Sequence, residues 1–348
     1  MNSPAPAAAL RRWIWLGALL SVLVVVAITF SLPKDLFLSS PDTDLIGQLA
    51  AWRAFAADSI RAGHFPMWNP YAYAGQPFLG DFQSAELYPP NVIFLFLPLT
   101  QAVNLSFLLH LLLLGWGMGY WVTRRGCHPA AGALAGLAIA LSGPVFMRLF
   151  AGHLANICTM AWAPWLFCAL EAAWRGPRLR PLLLAAAVVC LQILGGHPQY
   201  VFYLGIAAGI HALVYSIAEP SLRRRALPNV FFAYLGGALL SSAQLLPGLA
   251  AIGESVRQSK LEYNFVRLFS FPPENFLTLI APGFFGNLTN AVYWGRCYLW
   301  EVSIFISVSG LVLAALAFFD SEHRRHTRLD LLIAVPLGGK NKKMTLGG

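Results

Sequence analysis

Three observations predict an all-α fold, a polytopic transmembrane helical bundle. Hydrophobic residues make up 57% of the 348 positions and charged residues 11%, with a mean hydropathy of +0.61, which is more apolar surface than a water-soluble domain buries. Apolar runs of about spanning length recur along the chain. The basic residues behind the formal net charge of +9 sit in short clusters between those runs, at Arg11-Arg12, Arg124-Arg125, Arg175 to Arg180, Arg223 to Arg225 and Arg324 to Arg328. Clusters so placed set membrane topology, and no nucleic-acid partner is expected.

The first run, Trp13 to Leu32, is longer than a signal-peptide core and has no small-residue cleavage site before Pro33-Lys34, so it reads as a retained span. Further runs at about 103–122, 130–147, 157–174, 181–196, 200–218, 229–251 and 299–319 bring the expected total to about eight spans. With Arg11 and Arg12 placed in the cytoplasm, all the basic clusters fall on the inner side, and Asp35, Asp42, Asp44, Asp58, Asp81, Glu86, Glu254, Glu262, Glu274 and Glu301 fall outside. Two large outer loops, 33–102 and 252–298, therefore carry most of the polar chemistry. Cys127, Cys158, Cys168, Cys190 and Cys297 show no CxxC spacing and read as packing residues. His110 and His211 fall inside spans and read as hydrogen-bonded packing residues.

In the first outer loop Leu45, Leu49, Trp52, Ala56 and Ile60 recur at helical spacing, which predicts a helix lying on the membrane surface until Gly63. Asp42 and Asp44 stand at its start. One carboxylate there can cap the helix, accepting from free backbone N–H groups. The other can face a lipid-borne substrate as a general base, or the pair can hold a divalent metal such as Mg or Mn. The stretch Phe65 to Pro90 is rich in proline, glycine and aromatic residues, among them Trp68 and Tyr71, whose rings suit both a membrane interface and a sugar face. The run Val92 to Pro98 is too short to span.

The order Asp44 to Gln48, Phe65-Pro66-Met67-Trp68-Asn69-Pro70-Tyr71, Gly75-Gln76-Pro77, Asp81-Phe82-Gln83-Ser84, Tyr88-Pro89-Pro90 and Asn104-Leu105 resembles the bacterial YfhO-like membrane proteins, of the GT-C glycosyltransferase class. Gly152-His153 and Gly195-Gly196-His197-Pro198-Gln199-Tyr200 resemble that family's outer turns, and the likeness covers about 13–335. It implies an enzyme of the bacterial cytoplasmic (inner) membrane, with a cytoplasmic N-terminus. Such an enzyme takes a sugar from a polyprenyl-phosphate donor to an extracytoplasmic acceptor, a glycan, a teichoic acid or a protein. The resemblance makes Asp44 the catalytic acid with Asp42 as its neighbour, and puts Trp68, Asn69, Tyr71, Gln83, His153 and His197 near the substrate. A leaving phosphate needs cations, and Arg257 and Lys260 in the second outer loop are one helical turn apart.

A lipid flippase or transporter would share this topology, but the centres of the expected spans hold no Asp, Glu, Lys or Arg. A ninth apolar run starts at Leu331 and stops after Pro336. The expected organisation is one membrane domain over 1–336 and an atypical polar tail over 337–348, the pattern of a truncated or frameshifted chain.

Overall fold

The computed structural model describes residues 20–72, 74–176, 179–253, 270–287 and 291–319. Arg257, Lys260, the ninth apolar run and the 337–348 tail lie outside the described residues. Helix α1 (Leu20–Ser31) is the described part of the first apolar run. The outer segment that follows starts with a π-turn, Leu45–Leu49, which runs into α2 (Ala50–Arg61). Its spacing does what the sequence predicts: Leu45, Leu49, Trp52 and Ala56 are all buried, and their side chains share an apolar core with Phe78 and Phe107. A two-residue hairpin follows, β1 (Trp68–Asn69) antiparallel to β2 (Gln76–Pro77).

The bundle consists of α3 (Leu99–Arg124), α4 (Pro129–Ala140), α5 (Gly143–Phe150), α6 (Leu154–Met160), α7 (Ala163–Arg175), α8 (Leu179–Leu194), α9 (Pro198–Ala218), α10 (Ala226–Leu240) and α11 (Ser242–Gly253). Among the described residues four helical stretches are long and apolar enough to cross a membrane: Leu99–Arg124, Pro129–Phe150, Leu154–Arg175 and Pro198–Ala218. The apolar helices Leu20–Ser31, Leu179–Leu194 and Val308–Ala317 are shorter. A second core, with Leu166, Leu170, Trp174, Val189 and Tyr215 fully buried, ties α7 to α8, α9 and α10. Leu183, Phe202, Ile206, Leu213, Phe231 and Leu239 are exposed, as side chains that face lipid would be.

Two expected spans depart from a single straight helix. The run 229–251 breaks after Leu240 and turns by 84° into α11. Ser241 bonds back to the carbonyl of Gly237 (2.8 Å), an insertion into the helical ladder that favours a bend. Helix α11 then packs on the outer loop, where Gln244 donates to the carbonyl of Leu79 (2.5 Å) and an added Cβ on Gly80 would meet Ala251 at 2.9 Å. The run 299–319 divides into Leu299–Val302 and Val308–Phe319. Between them the carbonyl of Phe305 accepts from Gly143 N (2.7 Å), so the β-branched stretch there pairs with the start of α5 instead of continuing as helix.

Asn104 anchors the outer loop to α3. Its Oδ1 accepts from Leu38 N (2.9 Å) and its Nδ2 donates to the carbonyl of Leu36 (2.7 Å), so this buried side chain pairs with the backbone as a strand would. Helices α3 and α4 cross closely because Gly115 and Gly119 face Gly136 and Gly132. A Cβ on Gly136 would meet the Gly115 carbonyl at 2.5 Å, and one on Gly132 the Gly119 carbonyl at 2.7 Å. Without a hydrophobic drive between helices in lipid, such small-residue contact supplies the packing. Gly136→Val should therefore cost on the order of 1–3 kcal/mol and lower the thermal midpoint of the purified protein in nanodiscs. Leu137→Val, at an exposed position one residue on, should leave the midpoint nearly unchanged.

Candidate functional site

The start of the surface helix meets the turn between α5 and α6. That turn needs glycine: Gly152 has φ +72°, and a Cβ there would meet Leu45 Cβ at 2.6 Å and Thr43 Oγ1 at 2.8 Å. The close approach sets His153 beside Asp44. Asp44 occupies the N-cap position of the π-turn yet makes no capping hydrogen bond. Its side chain is 76% exposed, and Oδ2 stands 3.5 Å from His153 Nε2. The capping role open to one of the two acids is thus not taken by Asp44.

Behind His153 lies a group that nothing local in the sequence ties to this site. Arg148, buried near the end of α5, is bound on both nitrogens by Glu301, Nη1 to Oε1 at 2.6 Å and Nη2 to Oε2 at 2.9 Å. The same Nη1 lies 3.3 Å from His153 Nδ1. A guanidinium can only donate, so Nδ1 accepts, and in the neutral ring the hydrogen sits on Nε2, facing Asp44. Burial and the charge of Arg148 both push the His153 pKa down, outweighing Asp44 and Glu301, and keep the ring neutral. His197 joins this cluster from the turn before α9. Burial, Arg148 and His153 bring it down to about 4, and its Nδ1 accepts from Tyr200 N (3.4 Å) as a helix cap.

These groups border a cavity of about 690 Å³ whose wall includes Asp42, Asp44, His153, Tyr298, Trp300 and Glu301. Tyr298 and Trp300 stack with centroids 4.8 Å apart and planes 6° off parallel. Two aromatic faces beside two carboxylates suit a ligand with apolar faces and hydroxyl edges, such as a sugar ring. Asp42 is exposed and shares this wall with Asp44. Among the described residues no three His, Cys, Asp or Glu side chains converge as a metal site needs.

The remaining expected site residues fall elsewhere. Asn69 and Tyr71 line a separate hollow of about 410 Å³ with Gly47, Gln48 and Trp52. Asn69 is buried and its Oδ1 accepts from Tyr71 N (2.9 Å), which makes it a turn former. Tyr71 is exposed and set edge-on to Phe55. Trp68 lies over Gly75, where an added Cβ would meet its ring at 2.7 Å. Gln83 is exposed in the turn that Asp81 caps, and its Cα would stand 3.4 Å from a Cβ on Gly196, so it neighbours the His197 turn. His110 bonds Tyr88 (2.7 Å) and His211 bonds Glu171 (3.0 Å), both buried, as packing residues do. Missed by the sequence reading were the pairing of Arg148 with Glu301 and the rings of Tyr298 and Trp300. The signal for the latter was present in Tyr298-Leu299-Trp300-Glu301, an aromatic and acidic cluster at the start of the last expected span.

No protein-family model, no curated protein and no solved structure matches this chain.

Two outcomes follow from the geometry. His197 is neutral when folded, so the unfolded chain takes up its proton first as pH falls below the ordinary histidine value. Stability should be intact above about pH 6.5 and decline towards pH 4, by on the order of 1–3 kcal/mol; in thermal melts His197→Gln should flatten that decline. The Arg148–Glu301 pair is 11% and 27% exposed, so Glu301→Leu alone, which strands the guanidinium, should cost about 2–4 kcal/mol. The Arg148→Met/Glu301→Leu double variant should melt closer to the parent than either single variant does.

Proposed function

We propose that the chain is a membrane glycosyltransferase of the GT-C class, similar to the YfhO-like proteins, which moves a sugar from a polyprenyl phosphate to an acceptor outside the bacterial cytoplasmic membrane. One observation carries this reading. Asp44 is a carboxylate not consumed by helix capping, held by a neutral histidine on a cavity of about 690 Å³ with an aromatic wall. It begins a helix whose apolar side is buried in a bundle with spanning-length helices.

In this mechanism Asp44 takes the proton of an acceptor hydroxyl as that oxygen attacks the anomeric carbon. The bond from that carbon to the phosphate oxygen breaks, its electron pair leaving with the lipid phosphate. His153 orients Asp44 through Nε2–H and does not exchange charge, because Arg148 keeps it neutral. A phosphate leaves readily, so holding the two substrates in line contributes most of the rate. Arg148 is already matched by Glu301, so the cations for the leaving phosphate are assigned to Arg257 and Lys260. Asp42, on the same wall, contacts the acceptor. An N-terminus in the cytoplasm agrees with the charged cluster of Glu171, His211, Arg125 and Arg175, which lies at the end of Leu154–Arg175 away from His153.

The second reading is a flippase or transporter, and its supporting observation is that same Glu171–His211 pair, buried within helices. The pair lies away from the Asp44 cavity, which favours chemistry at the outer surface. The deciding assay uses the full chain in nanodiscs with a radiolabelled polyprenyl-phosphate sugar and a soluble glycan acceptor. Asp44→Asn and Asp44→Ala should each lower transfer by about 10²-fold or more while the melting temperature holds. Turnover that survives both substitutions contradicts the assignment.

A further inference from the structure

A second hollow, with no lining residue in common with the Asp44 cavity, lies between the C-terminal half of α2 and the turns at Phe82–Ser84 and Pro89–Leu95. Its volume is about 320 Å³, and Arg53, Glu86 and Asn91 bring polar groups to a wall that also holds Ile60, Tyr88 and Phe94. Arg53 is 3% exposed. Its Nη1 donates to the Ser84 carbonyl and its guanidinium lies over the Phe94 ring, 5.9 Å from the centroid. Asn91 is fixed by Nδ2 donating to the Ala85 carbonyl (2.7 Å).

What these side chains leave unused is unusual for an interior. Arg53 Nε, both carboxyl oxygens of Glu86 and Asn91 Oδ1 are buried and have no hydrogen-bond partner. Each such group left bare costs about 1–3 kcal/mol, so four around one hollow mark a place where a ligand is expected to complete the hydrogen bonding. The unmet set is the Arg53 Nε–H donor, the Asn91 Oδ1 acceptor and the Glu86 carboxyl, which when protonated offers one donor and one acceptor. Burial pushes the Glu86 pKa up to about 8 despite the nearby Arg53, so at neutral pH the carboxyl is mostly uncharged. A cationic ligand would then meet the Arg53 charge without a balancing carboxylate, and an anion would meet Asn91 Oδ1 and the Glu86 carbonyl oxygen, neither of which can donate to it.

We propose that this hollow binds a neutral polyhydroxylated ligand about one sugar ring in size, with one hydroxyl accepting from Arg53 Nε and others bonding Glu86 and Asn91 Oδ1. Its volume lies at the lower end of the roughly 300–1,000 Å³ typical of small-molecule sites. The ring comes either from a free monosaccharide or from the end of a longer glycan. The site recognises and holds its ligand, and it stands independently of the Asp44 chemistry.

Saturation-transfer NMR on the full chain in nanodiscs tests this, with methyl glucoside for the free ring, maltotriose for a glycan end, and choline and inorganic phosphate as charged probes. At least one sugar should bind saturably in the millimolar range. Arg53→Lys, which keeps the charge but removes Nε–H, and Glu86→Leu, which removes both oxygens, should each weaken binding about tenfold. Leu137→Val, at an exposed position on α4 outside both cavities, should leave binding unchanged even if glycosyltransfer is never observed. Glu86→Leu should not lower the melting temperature, since it removes a bare buried carboxyl; if it fails to fold, Arg53→Lys and Asn91→Ser carry the test. Absence of a saturable sugar signal up to about 100 mM, equal binding by parent and variants, or saturable binding of choline or phosphate instead would overturn the proposal.

Discussion

The end of the bundle that carries Asp44 depends on one largely buried ion pair. A guanidinium on an apolar helix is tolerated only if its charge is matched, and Arg148 finds Glu301 from 153 residues away in sequence, with both nitrogens engaged. That pairing fixes where Nη1 points. Nη1 in turn sets which nitrogen of His153 carries hydrogen, and the hydrogen so placed faces Asp44. Removal of the pair would leave the carboxylate in the cavity without a defined neighbour, although every helix remained.

The breaks in the expected spans serve the same end of the molecule. The end of α5 at Phe150 and the extended stretch around Phe305 bond backbone groups of other segments, while the bend at Ser241 follows a bond within its own helix. Non-helical backbone is tolerated at membrane depth only when it is buried in protein or lines a cavity. Here it does both. Ser40 N bonds the Phe150 carbonyl (2.9 Å), Gly143 N bonds the Phe305 carbonyl (2.7 Å), and the Asp44 cavity forms beside these seams. Deeper in the bundle, α3 and α4 pack through glycine and stay regular.

Local features could be read from residues alone, and non-local ones could not. The apolar spacing from Leu45 to Ala56 specified the surface helix because burial on one face follows a 3.6-residue period. The acids at its start were legible as a cluster, but the sequence could not say whether Asp44 would cap, since capping and facing a cavity use the same residue type. Arg148 gave no local sign of its role, because Glu301 lies 153 residues away. The run 229–251 has the composition of a span, and Ser241 is too common a residue to announce an 84° turn. The bare groups around Arg53 and Glu86 come from helix α2 and two later turns, so only the fold reveals that they share a wall.

Nitrogen-15 NMR of histidine-labelled protein in nanodiscs at neutral pH, with His153 assigned through His153→Gln, examines this chain of contacts most directly. A neutral His153 with its hydrogen on Nε2, converting to the other tautomer or to imidazolium in an Arg148→Met background, is the expected result. A His153 that is imidazolium or Nδ1-protonated in the parent protein would contradict it, because Arg148 could not then be donating to that nitrogen and Asp44 would lack the neighbour assigned to it.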